Sequence, residues 1–313
     1  MSGSRGQPEA AGRPDDPGDR AGARPESALR LRLGTRGSPL ALRQAALVAG
    51  ALADEVETIV LRTAGDRGDG GDKRRWVDTI EAALLEGTID LAVHSAKDLP
   101  AELGPGLVIA GSPRREDPRD ALCGARSIAQ LPRGARVGTS SLRRRAQLLA
   151  LRDDLAVSPV HGNVGTRLER LEAGDFDAIV LASAGLRRLG LFGWTACDEL
   201  VPAAGQGTLA IEARAGDARV GAAIASLRDG PTECALTAER ALVSRLGAGC
   251  DTPIGAHARP GAGGRLELAA FVGTADGSEW IRDSATGPAD DPVALGELVA
   301  ERLLSCGAGA MLG

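Results

Sequence analysis

Residues Val137–Gly174 read VGTSSLRRRAQLLALRDDLAVSPVHGNVGTRLERLEAG. Twice in this stretch a short apolar run ends in a turn of Gly, Ser, Thr or Asn. Each turn opens directly into an amphipathic, arginine-bearing segment. The first opening is Ser140-Ser141-Leu142-Arg143-Arg144-Arg145, the second Gly162-Asn163-Val164-Gly165-Thr166-Arg167. Strand, tight turn and helix in succession, repeated, is the pattern of an α/β unit. A helix start presents unpaired N–H groups and the positive end of the dipole, so it attracts anions. Guanidinium groups in the first turn add forked donors that match carboxylates or phosphates. Two such openings side by side point to a ligand with several negative groups.

Working outward, the same alternation continues on both sides. Upstream, Leu31–Thr35 reads as a strand, and Ser38-Pro39 as an N-cap with proline at the first helical position, opening a helix to about Leu52. Val56–Arg62 alternates as a strand, Trp76–Glu86 is helical, and Asp90–His94 is a buried strand. Between them, 64–75 (AGDRGDGGDKRR) reads as a mobile surface loop. A second unit begins near Leu122, with strands at Arg136–Gly138, Ala156–Val160 and Ala178–Leu181, each followed by a helix. Val201–Arg214 (VPAAGQGTLAIEAR) reads as a turn and a strand returning to the first unit. Two α/β lobes with a cleft between them result, a natural ligand site. The end of the chain changes character. A helix over about Thr232–Leu246, alternating runs at Ile254–Ala258, Arg265–Val272 and Glu279–Arg282, and a helix over about Pro292–Cys306 predict a small α+β domain. The domain limits expected are 29–115 with 208–228, then 116–207, then 229–313. Residues 1–28, rich in Gly, Pro, Arg and Asp with no apolar run, read as a disordered tail.

Composition narrows the function classes. A net charge of −5 argues against a general nucleic-acid or anionic-membrane binder, so any anion site is a local concentration of positive charge. No stretch is long and apolar enough to span a membrane. Five cysteines without CxxC spacing, and three scattered histidines, indicate neither a disulfide framework nor a metal site; a reducing cytoplasm fits. Of 37 basic residues only Lys73 and Lys97 are lysines: either a compact ammonium is of use at both, or they are chance survivors of an arginine-rich codon bias.

Three further features carry chemistry. Asp98, in HSAKDLP, follows a buried strand and so lines the crevice at the carboxyl end of the sheet, where a carboxylate stabilises a developing cation or moves a proton. Its bland alternative is a surface ion pair with Lys97. Cys250, in GAGCDTPIG, sits in a glycine-flanked loop that admits close approach by another body; its alternative is a small hydrophobe. Arg36, Arg143, Arg144, Arg167 and Arg188 are read at strand-to-helix turns or first helical turns, as anion holders rather than solvated helix faces.

Together these segments resemble the porphobilinogen deaminase (hydroxymethylbilane synthase) family. The resemblance rests on LRLGTRGSPLALRQA, DLAVHSAKDLP, REDPRDAL, VGTSSLRRRAQL, GNVGTRLERL, DAIVLASAGLRRLGL, PAAGQGTLAIEAR, TAERALVSRLGAGCDTPIGA and LAAFVGTADGS, in family order from residue 30 onward. It implies two periplasmic-binding-protein-like α/β domains with a central cleft plus a small C-terminal α+β domain, in a monomer. It implies a transferase that joins four porphobilinogen molecules head to tail, releases ammonia, and frees hydroxymethylbilane with water. It implies a covalent dipyrromethane cofactor on Cys250. Asp98 matches the catalytic aspartate. Lys97, Ser140, Ser141, Arg143, Arg144 and Arg167 match cofactor-contacting positions. Arg36, Ser38, Lys73, His161, Arg188 and Gln206 match positions around the incoming ring, the growing polypyrrole chain or the lid.

The chain departs from the family pattern at two places. His161 stands where arginine is usual, and histidine makes no forked carboxylate bond. The lid reads Gly71-Asp72-Lys73-Arg74-Arg75-Trp76, with two added arginines and tryptophan in place of phenylalanine. A diverged, catalytically weak anion-binding paralogue is therefore the alternative to an active enzyme. Joint retention of Cys250, Asp98 and Lys97 favours the enzyme, since a pure binder needs neither a thioether anchor nor the acid.

Overall fold

The structure is a computed structural model and describes residues 1–3, 30–61, 74–247 and 252–312. The first sheet contains β1 (Leu31–Arg36), β2 (Val56–Leu61), β3 (Leu91–Ser95), β4 (Leu107–Gly111) and β10 (Leu209–Arg214), in the order β2-β1-β3-β10-β4. β1 runs parallel to β2 and β3, whereas β10 is antiparallel to both its neighbours. Four of the five residues of β3 are buried, as expected of a central strand covered on both faces. One face packs Leu33, Leu91, Val93 and Ile211 against Ala45 and Val48 of α1 (Pro39–Ala49) and Val220 and Ile224 of α6 (Ala218–Ile224). The other packs Ile89, Ala92 and Leu107 against Ile80 and Leu84 of α2 (Arg74–Leu85). Ser38 caps α1 by accepting from the Ala41 N–H at 3.3 Å, with Pro39 at the first helical position.

The second sheet repeats this plan. It holds β5 (Asp120–Cys123), β6 (Arg136–Gly138), β7 (Ala156–Ser158), β8 (Ala178–Ala182) and β9 (Trp194–Cys197), in the order β7-β6-β8-β5-β9. β6 is parallel to β7 and β8, and β5 is antiparallel to β8 and β9. α3 (Leu142–Leu151), α4 (Val164–Glu172) and α5 (Ser183–Arg188) follow β6, β7 and β8. Ser141 caps α3 and Asn163 caps α4, each accepting from a backbone N–H three residues on. The chain passes from one sheet to the other after β4 and returns after β9.

The third unit is an antiparallel sheet of β11 (Ile254–Pro260), β12 (Arg265–Gly273) and β13 (Trp280–Pro288). Its buried face packs Ala256, Leu266, Leu268 and Val272 on Ala238 and Leu242 of α7 (Gly230–Arg245) and Val299 and Leu303 of α8 (Pro292–Ser305). A short α9 (Ala308–Leu312) ends the described chain.

Several boundaries differ from the sequence reading. α2 begins at Arg74, so Arg74 and Arg75 are helical; the rest of the loop read at 64–75 lies outside the described residues. Arg188 is the last residue of α5, not a first-turn residue. α5 starts immediately after β8, with no intervening Gly/Asn turn to signal where the helix opens.

Candidate active site

The site is built where the two lobes meet. β3 ends in a 3-10 turn, Ala96–Asp98, which turns the Asp98 side chain out to solvent while Ala96 and Leu99 stay buried. Gly205 allows this turn to be approached closely. Its φ is +70°, and a Cβ there would lie 2.8 Å from the Ala96 Cβ and 3.0 Å from the Lys97 nitrogen. The adjacent Gln206 is buried and connects the lobes. Its Oε1 accepts from Lys97 Nζ at 3.3 Å, and its Nε2 donates to the Pro118 carbonyl at 2.7 Å and to Asp120 Oδ1 at 2.9 Å.

Asp120, at the head of β5, is the centre of this network. It is fully buried, and its carboxylate accepts from Arg143 Nη1 at 2.7 Å, Arg143 Nη2 at 3.0 Å and Arg144 Nε at 2.8 Å. Burial alone raises a carboxyl pKa, but the two guanidinium groups and Gln206 outweigh it and hold Asp120 well below the usual range. Arg143 also donates to the Val201 carbonyl at 2.7 Å and Arg144 to that of Val180 at 2.9 Å. The two first-turn arginines thus spend most of their donors on the protein. Among the described residues the buried Arg143 Nε has no hydrogen-bond partner.

Around this anchor the cations crowd one another. Lys97 is half-buried by area and walled by protein. Its pKa falls to about 7, first because of burial and then because Arg144 and Arg143 repel its charge, with Asp98 and Asp120 offsetting part of the shift. Arg167, on α4, is lowered by burial and by Arg144, and is partly restored by Asp98. Asp98 therefore lies within the fields of Lys97 from its own lobe and Arg167 from the other. Arg167 is aimed by a bond from its Nε to the Gly162 carbonyl at 2.8 Å. Ser140 donates to the Val160 carbonyl at 2.6 Å and Thr139 N–H to that of Ser158 at 2.9 Å, so the two arginine-bearing turns stand side by side.

The remaining expected residues ring this core. Arg36 ends β1 half-buried, beside the cap Ser38. Arg188 donates from Nη2 to the Gly207 carbonyl at 2.6 Å, and burial brings its pKa down to about 10 against a weak opposing pull from Glu116. His161 is exposed. Lys73 and Cys250 lie outside the described residues. Among the described residues no group of His, Cys, Asp or Glu is placed to hold a metal ion, and no helix is long and apolar enough to cross a membrane.

Sequence reasoning missed Asp120, Arg115 and Glu239. Arg115 donates to Glu239 at 2.7 Å and to the Gln206 carbonyl at 2.9 Å; Glu239, fully buried, also accepts from Gly205 N at 2.6 Å and Ala258 N at 2.7 Å. The pair ties the third unit to the junction of the first two. Only Asp120 left a trace in the sequence: an acid at the head of the apolar run Ala121-Leu122-Cys123, where an unpaired charge is costly to bury.

Two α/β lobes thus bring an exposed carboxylate, a depressed lysine and several arginines to one junction. The chain belongs to the porphobilinogen deaminase family. The family profile described as "Porphobilinogen deaminase, dipyromethane cofactor binding domain" matches residues 31–222, and that described as "Porphobilinogen deaminase, C-terminal domain" matches 233–305. Porphobilinogen deaminase of Roseiflexus castenholzii is 47% identical over 90% of this chain and 98% of its own. That of Thiobacillus denitrificans is 45% identical over 90% and 97%. A periplasmic substrate-binding protein of an ABC transporter from Coxiella burnetii is also similar, at 17% identity and a TM-score of 0.38, over 63% of this chain and 91% of its own.

Proposed function

We propose that Asp98 is the residue of this deaminase that touches the reacting atoms, and that the cations converging on it hold the carboxylates of the pyrrole chain. The reaction joins four porphobilinogen molecules head to tail with loss of ammonia at each addition, and water then frees hydroxymethylbilane. Loss of ammonia and attack by a neighbouring ring both place positive charge on pyrrole nitrogens. A carboxylate exposed at the sheet end stabilises that charge where it develops.

The observation that carries this reading is the crowding of cations. Arg144 depresses both Lys97 and Arg167, and Arg143 depresses Lys97 and Arg144, while Asp120 is already committed to Arg143 and Arg144. Such a cluster is short of negative charge. A dipyrromethane brings an acetate and a propionate on each ring, and the cluster fits it in charge and donor chemistry. Lys97, Ser140, Ser141, Arg143 through its unpartnered Nε, Arg144 and Arg167 would hold it, with Cys250 as its covalent anchor. When bound, the group supplies the terminal ring to which the first substrate is joined. Arg36, Ser38, Arg188, His161 and Lys73 would receive the incoming ring and the lengthening chain. Gln206 has its amide engaged by Lys97, Pro118 and Asp120, and it serves by holding Lys97 in place. Domain limits of 29–115 with 208–228, 116–207 and 229–313 are supported by the placement of β10 in the first sheet. We also propose a monomer, as the resemblance implies, and a cytoplasmic home, on the odd cysteine count.

Lys97 tests the reading. In protein made without access to porphobilinogen its ammonium is expected to titrate near pH 7, and to titrate higher once the cofactor carboxylates are beside it. An unfolded lysine keeps its proton to the ordinary 10.5, so the unfolded state binds more protons between about 7 and 10.5. Over that window the contribution of Lys97 in the cofactor-free protein makes stability rise with pH. NMR of the labelled side chain in the two forms measures the shift. An identical titration with and without the cofactor would contradict the role given to the cluster.

A further inference from the structure

A cavity of about 760 Å³ lies between α7 and the first lobe. Ala101, Gly111 and Ser112 form its wall on one side, and Leu236, Arg240 and Ser244 of α7 form the other. Across so open a gap, α7 reaches the segment that carries Asp98 directly at two points, and at a third through Gly205.

Leu236 packs with Ala96 and Leu99, the residues that bracket Lys97 and Asp98. Glu239 binds the Gly205 N–H, and Gly205 lies against Ala96 and Lys97. Arg240, one helical turn beyond Leu236 and so on the same face, donates from Nη2 to the Pro100 carbonyl at 2.9 Å and the Ala101 carbonyl at 2.6 Å. A charged donor bridging two successive carbonyls fixes the backbone just after Asp98 more firmly than neutral contacts do. At its other end α7 finishes at Arg245, just before the segment that carries Cys250.

We propose that Arg240 is a positioning residue for the deaminase reaction. By clamping Pro100 and Ala101 it sets where the Asp98 carboxylate stands relative to α7. Because it acts through the Asp98 segment, its loss is expected to affect the chemical step more than binding. The proposal rests on the assignment of Asp98 made above.

The test uses cofactor-loaded Arg240→Lys and Arg240→Ala proteins, with loading read by intact mass. Lysine keeps the charge and loses the planar fork. Displacement of catalytic groups by about 1 Å costs on the order of a hundredfold, and a partial slip is expected to lower kcat about tenfold in Arg240→Lys and further in Arg240→Ala. KM for porphobilinogen is expected to stay within about twofold, because the cleft cations are untouched. Millimolar guanidinium, entering through the open groove, is expected to restore part of the kcat of Arg240→Ala. An unchanged kcat in loaded Arg240→Lys would overturn the proposal, as would a KM that rises in step with the fall in kcat. Either result would leave the Asp98 assignment standing, which Asp98→Asn tests separately.

Discussion

Asp98→Asn is expected to lower kcat by about 10²–10³-fold while leaving the protein folded and loaded. Asn keeps the size and polarity of the side chain and removes its charge, so the variant isolates electrostatic stabilisation of the pyrrole cation. The fold has little stake in this side chain. Asp98 is exposed on a short turn whose backbone is held by the buried Ala96 and Leu99. Its melting temperature is therefore expected to match the parent's. Steady-state kinetics with a thermal melt on the same preparation decide the matter. Folded Asp98→Asn that makes hydroxymethylbilane within a few-fold of the parent rate would remove Asp98 from the role assigned to it.

Asp120→Asn is expected to do the opposite kind of damage. Asp120 is buried, and two buried guanidinium groups are neutralised by it. Removing one member of a buried charge cluster costs about 3–5 kcal/mol, because the remaining charges stay desolvated without a partner. In a chain of this size that is a fall in melting temperature on the order of 10 °C. The folded pKa of Asp120 lies below its unfolded value. Its contribution is therefore fully present above the ordinary aspartate range and is lost only as pH falls through the depressed value. The deficit of the variant is thus expected to be constant from about pH 5 to 8 and to shrink in strong acid. A variant that melts within about 2 °C of the parent would show that Arg143 and Arg144 find other partners.

The two variants separate what a sequence discloses from what it hides. The strand–turn–helix openings at Ser140 and Gly162 were legible because capping is local. A Ser or Asn followed by an N–H three residues on needs nothing from the rest of the chain, and both caps are formed. The exposed position of Asp98 was legible because it closely follows an apolar strand, where an open α/β sheet turns its chain out. What Arg143 and Arg144 bind was not legible. A first-turn arginine reads the same whether its fork meets a ligand or a buried carboxylate, and Asp120 lies more than twenty residues upstream. Nor was Arg115–Glu239, a contact across 124 positions between two otherwise ordinary surface residue types. The strands β4, β5 and β9 escaped because none of them opens into a capped helix, the signal that marked β6 and β7. Arg188 was misplaced because α5 lacks the turn that marks the other helix starts.

The most direct measurement is the intact mass of the purified, denatured protein, before and after brief exposure to porphobilinogen, with peptide mapping around Cys250. The account predicts an added mass of two linked pyrroles on the Cys250 peptide in the protein as isolated. It predicts further additions of single pyrrole units after exposure, each with loss of ammonia. An unmodified Cys250 that stays unmodified with porphobilinogen or hydroxymethylbilane would contradict it, and would place the chain with the anion-binding relatives that His161 and the altered lid brought into consideration.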